Sequence, residues 1–154
     1  MQRILVTGMS GTGKSSALVE LRTRGFRTVD TDEGGWTEWR DDGHYWREDR
    51  VEELFAAETG VPLFVAGTVT NQGRFYARFD AIVLLSAPVD VLLARIARRT
   101  TNPYGKSAEE RELVLSHVAQ VEPFLRATCT HELDAARPLA EIVEQLARLA
   151  APAG

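Results

Sequence analysis

Eight residues near the N-terminus constrain this chain more than any others: Gly8-Met9-Ser10-Gly11-Thr12-Gly13-Lys14-Ser15, a match to the pattern GxxxxGKS/T. The β-branched run Arg3 to Thr7 precedes it, and a helical pattern (Ala17, Leu18, Leu21) follows it. That order, strand then glycine-rich loop then helix, lets backbone N–H groups converge on phosphate oxygens. The helix N-terminus adds about half a positive charge at the same place. Lys14 is expected to reach the outer phosphates and the Ser15 hydroxyl to ligate Mg²⁺, with Ser16 continuing the first helical turn. Gly8, Met9, Ser10, Gly11, Thr12, Gly13, Lys14, Ser15 and Ser16 are therefore the expected contacts of a nucleoside triphosphate.

The rest of the chain supports one domain built around that loop. Its 154 residues are 44% apolar and 26% charged, the balance of an ordinary globular protein, and the length leaves no room for a second full domain. One cysteine, Cys129, excludes an internal disulfide framework and points to a reducing compartment. The histidines 44, 117 and 131 have no metal-ligand spacing. The longest apolar stretch, Ala81 to Ala87, is far shorter than the roughly 18 residues of a membrane span. No leader pattern follows Met1, so a cytoplasmic location is expected, with no membrane partner. A net charge of −4 argues against general nucleic-acid binding.

Short β-branched runs alternate with helical patterns, which predicts a parallel sheet covered by helices. Strands are expected at Arg3 to Thr7, Arg27 to Asp30, Leu63 to Ala66, Ala81 to Ser86 and His131 to Leu133. Leu139, Ile142, Val143, Leu146, Leu149 and Ala150 give an amphipathic helix behind Pro138. A second long helix is expected between Ser107 and Thr128, kinked at Pro123, and residues 151–154 as a frayed tail.

Other phosphate-loop classes fit less well. No Asn-Lys-x-Asp element reads guanine, and Asp32-Glu33-Gly34-Gly35 is too loose a DxxG to count. Large motors and AAA-type ATPases usually carry an acid at the end of an apolar strand, whereas the third strand ends Val65-Ala66-Gly67 and the fourth ends in Ser86. The second strand instead ends Val29-Asp30-Thr31-Asp32, where loops at the end of a sheet assemble a ligand crevice. A carboxylate there can orient an attacking hydroxyl and take its proton.

A GxxxxGKS loop followed by Asp-x-Asp resembles the shikimate kinases, and the chain is also similar to gluconate kinases and the wider nucleoside and nucleotide kinase superfamily. The resemblance implies an α/β, three-layer P-loop kinase fold, a five-stranded parallel sheet of order 2-3-1-4-5 flanked by helices. It implies that Asp30 supports the Mg²⁺ shell and Asp32 contacts the hydroxyl that accepts phosphate. It also implies a lid, at about residues 98–112, that closes over ATP with arginines, a task that falls to Arg95, just before it, Arg98 and Arg99. From Val91 to Ala108 there are four basic residues and no acid, and Asn102-Pro103 and Gly105 favour a loop. By the same resemblance Arg137 and Pro138 lie against the adenine base.

The acceptor side is expected at about residues 31–60. Asp30 to Glu53 holds ten acids, three arginines and all three tryptophans. Trp36 and Trp46 are candidates for stacking on an acceptor, and Arg47 falls near an arginine of the shikimate kinase pattern. Gly67 would let an acceptor approach the backbone, while Asn71 and Gln72 offer hydrogen bonds. The shikimate kinase pattern has three glycines after its third strand; this chain has Ala66-Gly67-Thr68-Val69. The expected activity is ATP-dependent transfer to a hydroxyl of a nucleoside, amino sugar or sugar-like metabolite, by a monomer or homodimer. Shikimate kinase and nucleotide kinase are the alternatives, and an ATP-binding regulatory protein without catalysis is the rival from another class.

Overall fold

Apolar residues alternate between two faces along each central strand, and this alternation explains the layering of the computed structural model, which describes residues 2–9, 11–57, 59–98 and 106–150. Ser10, Arg99 and the turn Asn102-Pro103-Gly105, together with the tail, lie outside the described residues. Strands β1 (Arg3–Gly8), β2 (Arg27–Asp30), β5 (Leu63–Ala66), β6 (Ala81–Ser86) and β7 (His131–Asp134) form one parallel sheet. Its order is β2-β5-β1-β6-β7, which, counting only these five strands along the chain, is the expected 2-3-1-4-5.

Ile4, Val6, Phe64, Val83 and Leu85 point to one side of the sheet, where α1 (Lys14–Thr23) and α5 (Leu139–Ala150) supply Leu18, Leu21, Ile142 and Leu146. Leu5, Leu63, Val65 and Ile82 point to the other side, against Val51 and Phe55 of α2 (Glu48–Ala56), Phe75 of the 3-10 helix Gln72–Arg78, and Trp46. A third cluster lies beneath the phosphate loop, where Met9 packs on Leu84, on Leu92 of α3 (Val89–Arg98) and on Leu125 of α4 (Ala108–Thr128). Ser107 caps α4 by accepting a hydrogen bond from the Glu110 backbone N–H. The helix runs on through Pro123, which sits on its exposed side.

One element was not expected. Between β2 and α2 the chain forms an antiparallel hairpin, β3 (Thr37–Arg40) and β4 (Gly43–Trp46), turning at Asp41-Asp42-Gly43. Gly43 takes φ +153°, and an added Cβ would stand 2.5 Å from Thr70 Oγ1, so the hairpin abuts the loop after β5.

Candidate active site

The phosphate loop owes its path to glycine. Gly8, Gly11 and Gly13 all have positive φ, and a Cβ on Gly8 would meet the Leu85 carbonyl at 2.4 Å. Gly13 caps α1 in the left-handed conformation, so the chain turns sharply before Lys14 opens the helix. Buried Thr12 closes the turn by donating its hydroxyl to the Met9 carbonyl at 2.9 Å. Lys14 Nζ donates to the carbonyls of Gly8 (2.6 Å) and Met9 (3.2 Å), which places the ammonium inside the loop.

Thr68, on the loop after β5, pins the start of this turn. Its hydroxyl accepts from the Gly8 N–H at 3.1 Å and donates to the Gly8 carbonyl at 2.7 Å. The sequence analysis missed Thr68, because its role depends on two strands meeting across 60 residues.

Ser15 and Asp30, the two residues assigned to magnesium, stand in contact. Ser15 Oγ donates to Asp30 Oδ2 at 2.5 Å, while Asp30 Oδ1 accepts from the Asp32 backbone N–H at 3.1 Å. Asp30 thus ties the phosphate-loop hydroxyl to the turn that carries exposed Asp32. A hydroxyl and a carboxylate are the hard oxygen donors Mg²⁺ takes. Among the described residues no group of three or more His, Cys, Asp or Glu stands together. This donor set fits a cation whose remaining shell is phosphate and water.

Thr31 lies between these aspartates and is fully buried. Its hydroxyl donates to the Ala66 carbonyl at 2.7 Å and accepts from Trp46 Nε1 at 2.9 Å. Gly67 leaves room for this arrangement: a Cβ there would lie 2.3 Å from Thr31 Oγ1 and 3.2 Å from Trp46 Nε1. The backbone approach expected at Gly67 is made by the protein's own side chains.

Three other expectations for the acceptor side are corrected in the same way. Trp46 is fully buried, with its ring against Phe75 and Phe79, so it belongs to the core. Asn71 accepts from the Trp46 N–H at 2.8 Å and donates to the Trp46 carbonyl at 3.0 Å and to Glu48 at 3.0 Å. Gln72 accepts from the Val69 N–H and donates to Thr7 and Tyr76. Both amides are buried and already hydrogen-bonded at each end, which leaves them no capacity for a ligand in this arrangement.

Trp36 is half-buried, with the Arg50 guanidinium 4.3 Å above its ring. Arg50 also donates to the carbonyls of Gly34 (2.7 Å) and Gly35 (2.8 Å), clamping the loop after Asp32. Arg47 is exposed at the start of α2 and donates to the Thr37 carbonyl at 3.3 Å.

On the other flank, Arg95 of α3 donates to the Gly11 carbonyl at 3.3 Å, so the structure brings this basic helix onto the phosphate loop. Arg98 is exposed one turn further on and returns its Nε to the Ala94 carbonyl. Arg137 pairs with Glu141 at 2.9 Å beside exposed Pro138. A groove of about 610 Å³ opens at the ends of β6 and β7, lined by Ser86, Ala87, Pro88, Glu122, Arg126, Glu132 and Asp134. Hydrogen bonds from Arg126 and then Ser86 hold the Glu132 carboxyl below its ordinary range.

Known proteins share this fold. A family model described as an AAA domain matches residues 4–115. Shikimate kinase 2 of Yersinia enterocolitica is 26% identical over 172 aligned positions, covering 97% of this chain and 96% of that protein. The structure of shikimate kinase from Acinetobacter baumannii in complex with shikimate superposes with a TM-score of 0.68 at 18% identity, covering 97% of this chain and 92% of that one. A gluconokinase from Sinorhizobium meliloti gives 0.58 at 24% identity, with 97% and 93% covered. As read from the sequence, β5 and β6 end without an acid. The chain belongs to the AAA domain family and has the phosphate-loop kinase fold of shikimate kinases and gluconokinases.

Proposed function

We propose that the protein is an ATP-dependent kinase that transfers the γ-phosphoryl group to a hydroxyl of a small metabolite. The observation that supports this reading is the Ser15–Asp30 hydrogen bond and the bond from the Asp32 backbone N–H to Asp30, which tie the turn bearing Asp32 to the phosphate loop. Mg²⁺-ATP supplies the phosphoryl group and the neutralisation of its charge; Ser15 and Asp30 would hold the metal. Lys14 and the loop amides bind the outer phosphates, and Asp32 orients the acceptor hydroxyl and takes its proton. Arg95 and Arg98 offset charge on the transferring group, and Arg99 is assigned the same task by its position in the sequence. Residues of about 31–60 form the acceptor region and about 98–112 the lid. The groove at the ends of β6 and β7, next to Arg137 and Pro138, takes the nucleotide base.

Near the acceptor, Arg50 is engaged with backbone carbonyls and a tryptophan face, and acids outnumber arginines ten to three from Asp30 to Glu53. That balance favours a neutral or cationic acceptor, a nucleoside or amino sugar, over shikimate or gluconate. We also assign the protein to the cytoplasm as a monomer or homodimer; no helix among the described residues is long and apolar enough to cross a membrane.

The test is ADP release from Mg²⁺-ATP with adenosine, cytidine, glucosamine, gluconate and shikimate offered in turn. An acceptor-dependent rise is expected, and Asp32→Asn should lower it by about 10²- to 10⁴-fold with the ATP dissociation constant nearly unchanged. Transfer that survives Asp32→Asn removes the assigned base. ADP release indifferent to every acceptor favours the regulatory reading.

A further inference from the structure

We propose that Trp39 and His44, stacked across the β3–β4 hairpin, form the platform on which a flat-faced ring of the acceptor lies, an inference that rests on the kinase reading above. The two residues face each other in the hairpin register, and their rings stand 4.2 Å apart at 10° to one another. His44 covers one face of the indole. Trp39 is nonetheless 78% exposed, so its other face is open.

Placement gives that open face its meaning. His44 and Trp46 are two residues apart on β4, so they share one face of the hairpin. Trp46 directs its Nε1 at Thr31, the residue between Asp30 and Asp32. The stacked pair therefore stands on the hairpin face that carries Trp46, roughly 7 Å along the strand from the residue that anchors the hairpin to the end of β2.

The platform is also held in position. The Thr70 N–H donates to the His44 carbonyl at 2.8 Å, and Asn71 grips both backbone groups of Trp46. The strand that carries His44 is thereby anchored, and the His44 ring braces the indole from one side.

The opposite face of the hairpin is closed on itself. Arg40 pairs with Glu38 at 2.9 Å and lies 4.3 Å over the Tyr45 ring, whose hydroxyl donates to Asp42 at 2.7 Å. Only the Trp39 side presents an aromatic face ready to receive a partner. An indole face takes a nucleobase by offset stacking, a sugar ring by its C–H face, and a cation by its quadrupole. In acidic surroundings the ring it takes is neutral or positively charged, which admits a nucleoside or an amino sugar and disfavours an anion.

Adenosine and glucosamine serve as ring probes and gluconate as an open-chain control. Trp39 fluorescence, isolated as the difference between wild type and Trp39→Phe, should change on titration with at least one ring probe, and which one responds separates the two sources. In ADP-release assays, Trp39→Ala should raise the KM for that ring acceptor about tenfold, with kcat at saturation within about twofold, and Trp39→Phe should recover most of the loss. His44→Ala should give a smaller rise. The exposed position of Trp39 predicts no large change in thermal midpoint, which separates a lost contact from a lost fold. The proposal is overturned if neither probe alters Trp39 fluorescence, or if the ring acceptor is phosphorylated with the same KM by Trp39→Ala; in the latter case the kinase reading stands. If a ring probe alters the fluorescence and no acceptor raises ADP release, the kinase reading falls and the ring site remains.

Discussion

Gly67 shows how little space separates the framework from the chemistry. Its missing Cβ is what lets Thr31 Oγ1 reach the Ala66 carbonyl and receive Trp46 Nε1. A Gly67→Ala substitution places a methyl 2.3 Å from that hydroxyl, and Thr31 is buried with both of its bonds made, so neither side can yield cheaply. The expected cost is about 1–3 kcal/mol, read as a lower denaturant midpoint at unchanged m. Phosphoryl transfer should fall as well, because Asp30 and Asp32 flank the displaced residue. A neutral outcome on both measures would mean that the end of β2 adjusts freely. The strand–loop–helix order around Lys14 was legible, since a contiguous motif carries its own local physics. The Ser15–Asp30 contact joins the ends of two elements the sequence marks, but the contact itself needs the sheet order to be known.

The sequence presents Trp46, Asn71 and Gln72 as ligand contacts; the β3–β4 hairpin explains why Trp46 and Asn71 turn to each other instead, while Gln72 is engaged by Val69, Thr7 and Tyr76. The hairpin turns at Asp41-Asp42, and Thr37-Glu38-Trp39-Arg40 has no apolar alternation to mark a strand. Only with the hairpin in place does Trp46 turn inward and Asn71 become the group that satisfies its N–H and C=O. Replacing Asn71 by Ala leaves those two backbone groups unpaired beneath the hairpin. The expected loss is about 2–3 kcal/mol, with hydrogen exchange at β3 and β4 rising before that of the parallel sheet. Uniform exchange across the chain would contradict the hairpin's dependence on this one amide. The central strands β1, β5 and β6 were legible because apolar runs inside a two-sided core leave few alternatives; the hairpin, outside that sheet, was not.

For the molecule as a whole, the α4–β7 edge links stability to pH. The Glu132 carboxyl is held below its ordinary 4.5 by hydrogen bonds from Arg126 and Ser86, so the folded state keeps it ionised where the unfolded chain would protonate it. That contribution is complete above the unfolded pKa and is lost as pH falls through the depressed folded value. Thermal midpoints should therefore decline below about pH 4.5, and the decline should be shallower in Glu132→Gln; equal slopes would locate the acid sensitivity elsewhere. The same global view joins the phosphate loop, the turn after β2 and helix α3 at one end of the sheet, an arrangement suited to the phosphoryl transfer proposed above. Phosphorus NMR of the protein with Mg²⁺-ATP and the acceptor that raises ADP release tests this most directly. The account predicts a new phosphomonoester signal growing as the γ-phosphate signal declines; γ-phosphate that passes only to inorganic phosphate, or does not move, would contradict it.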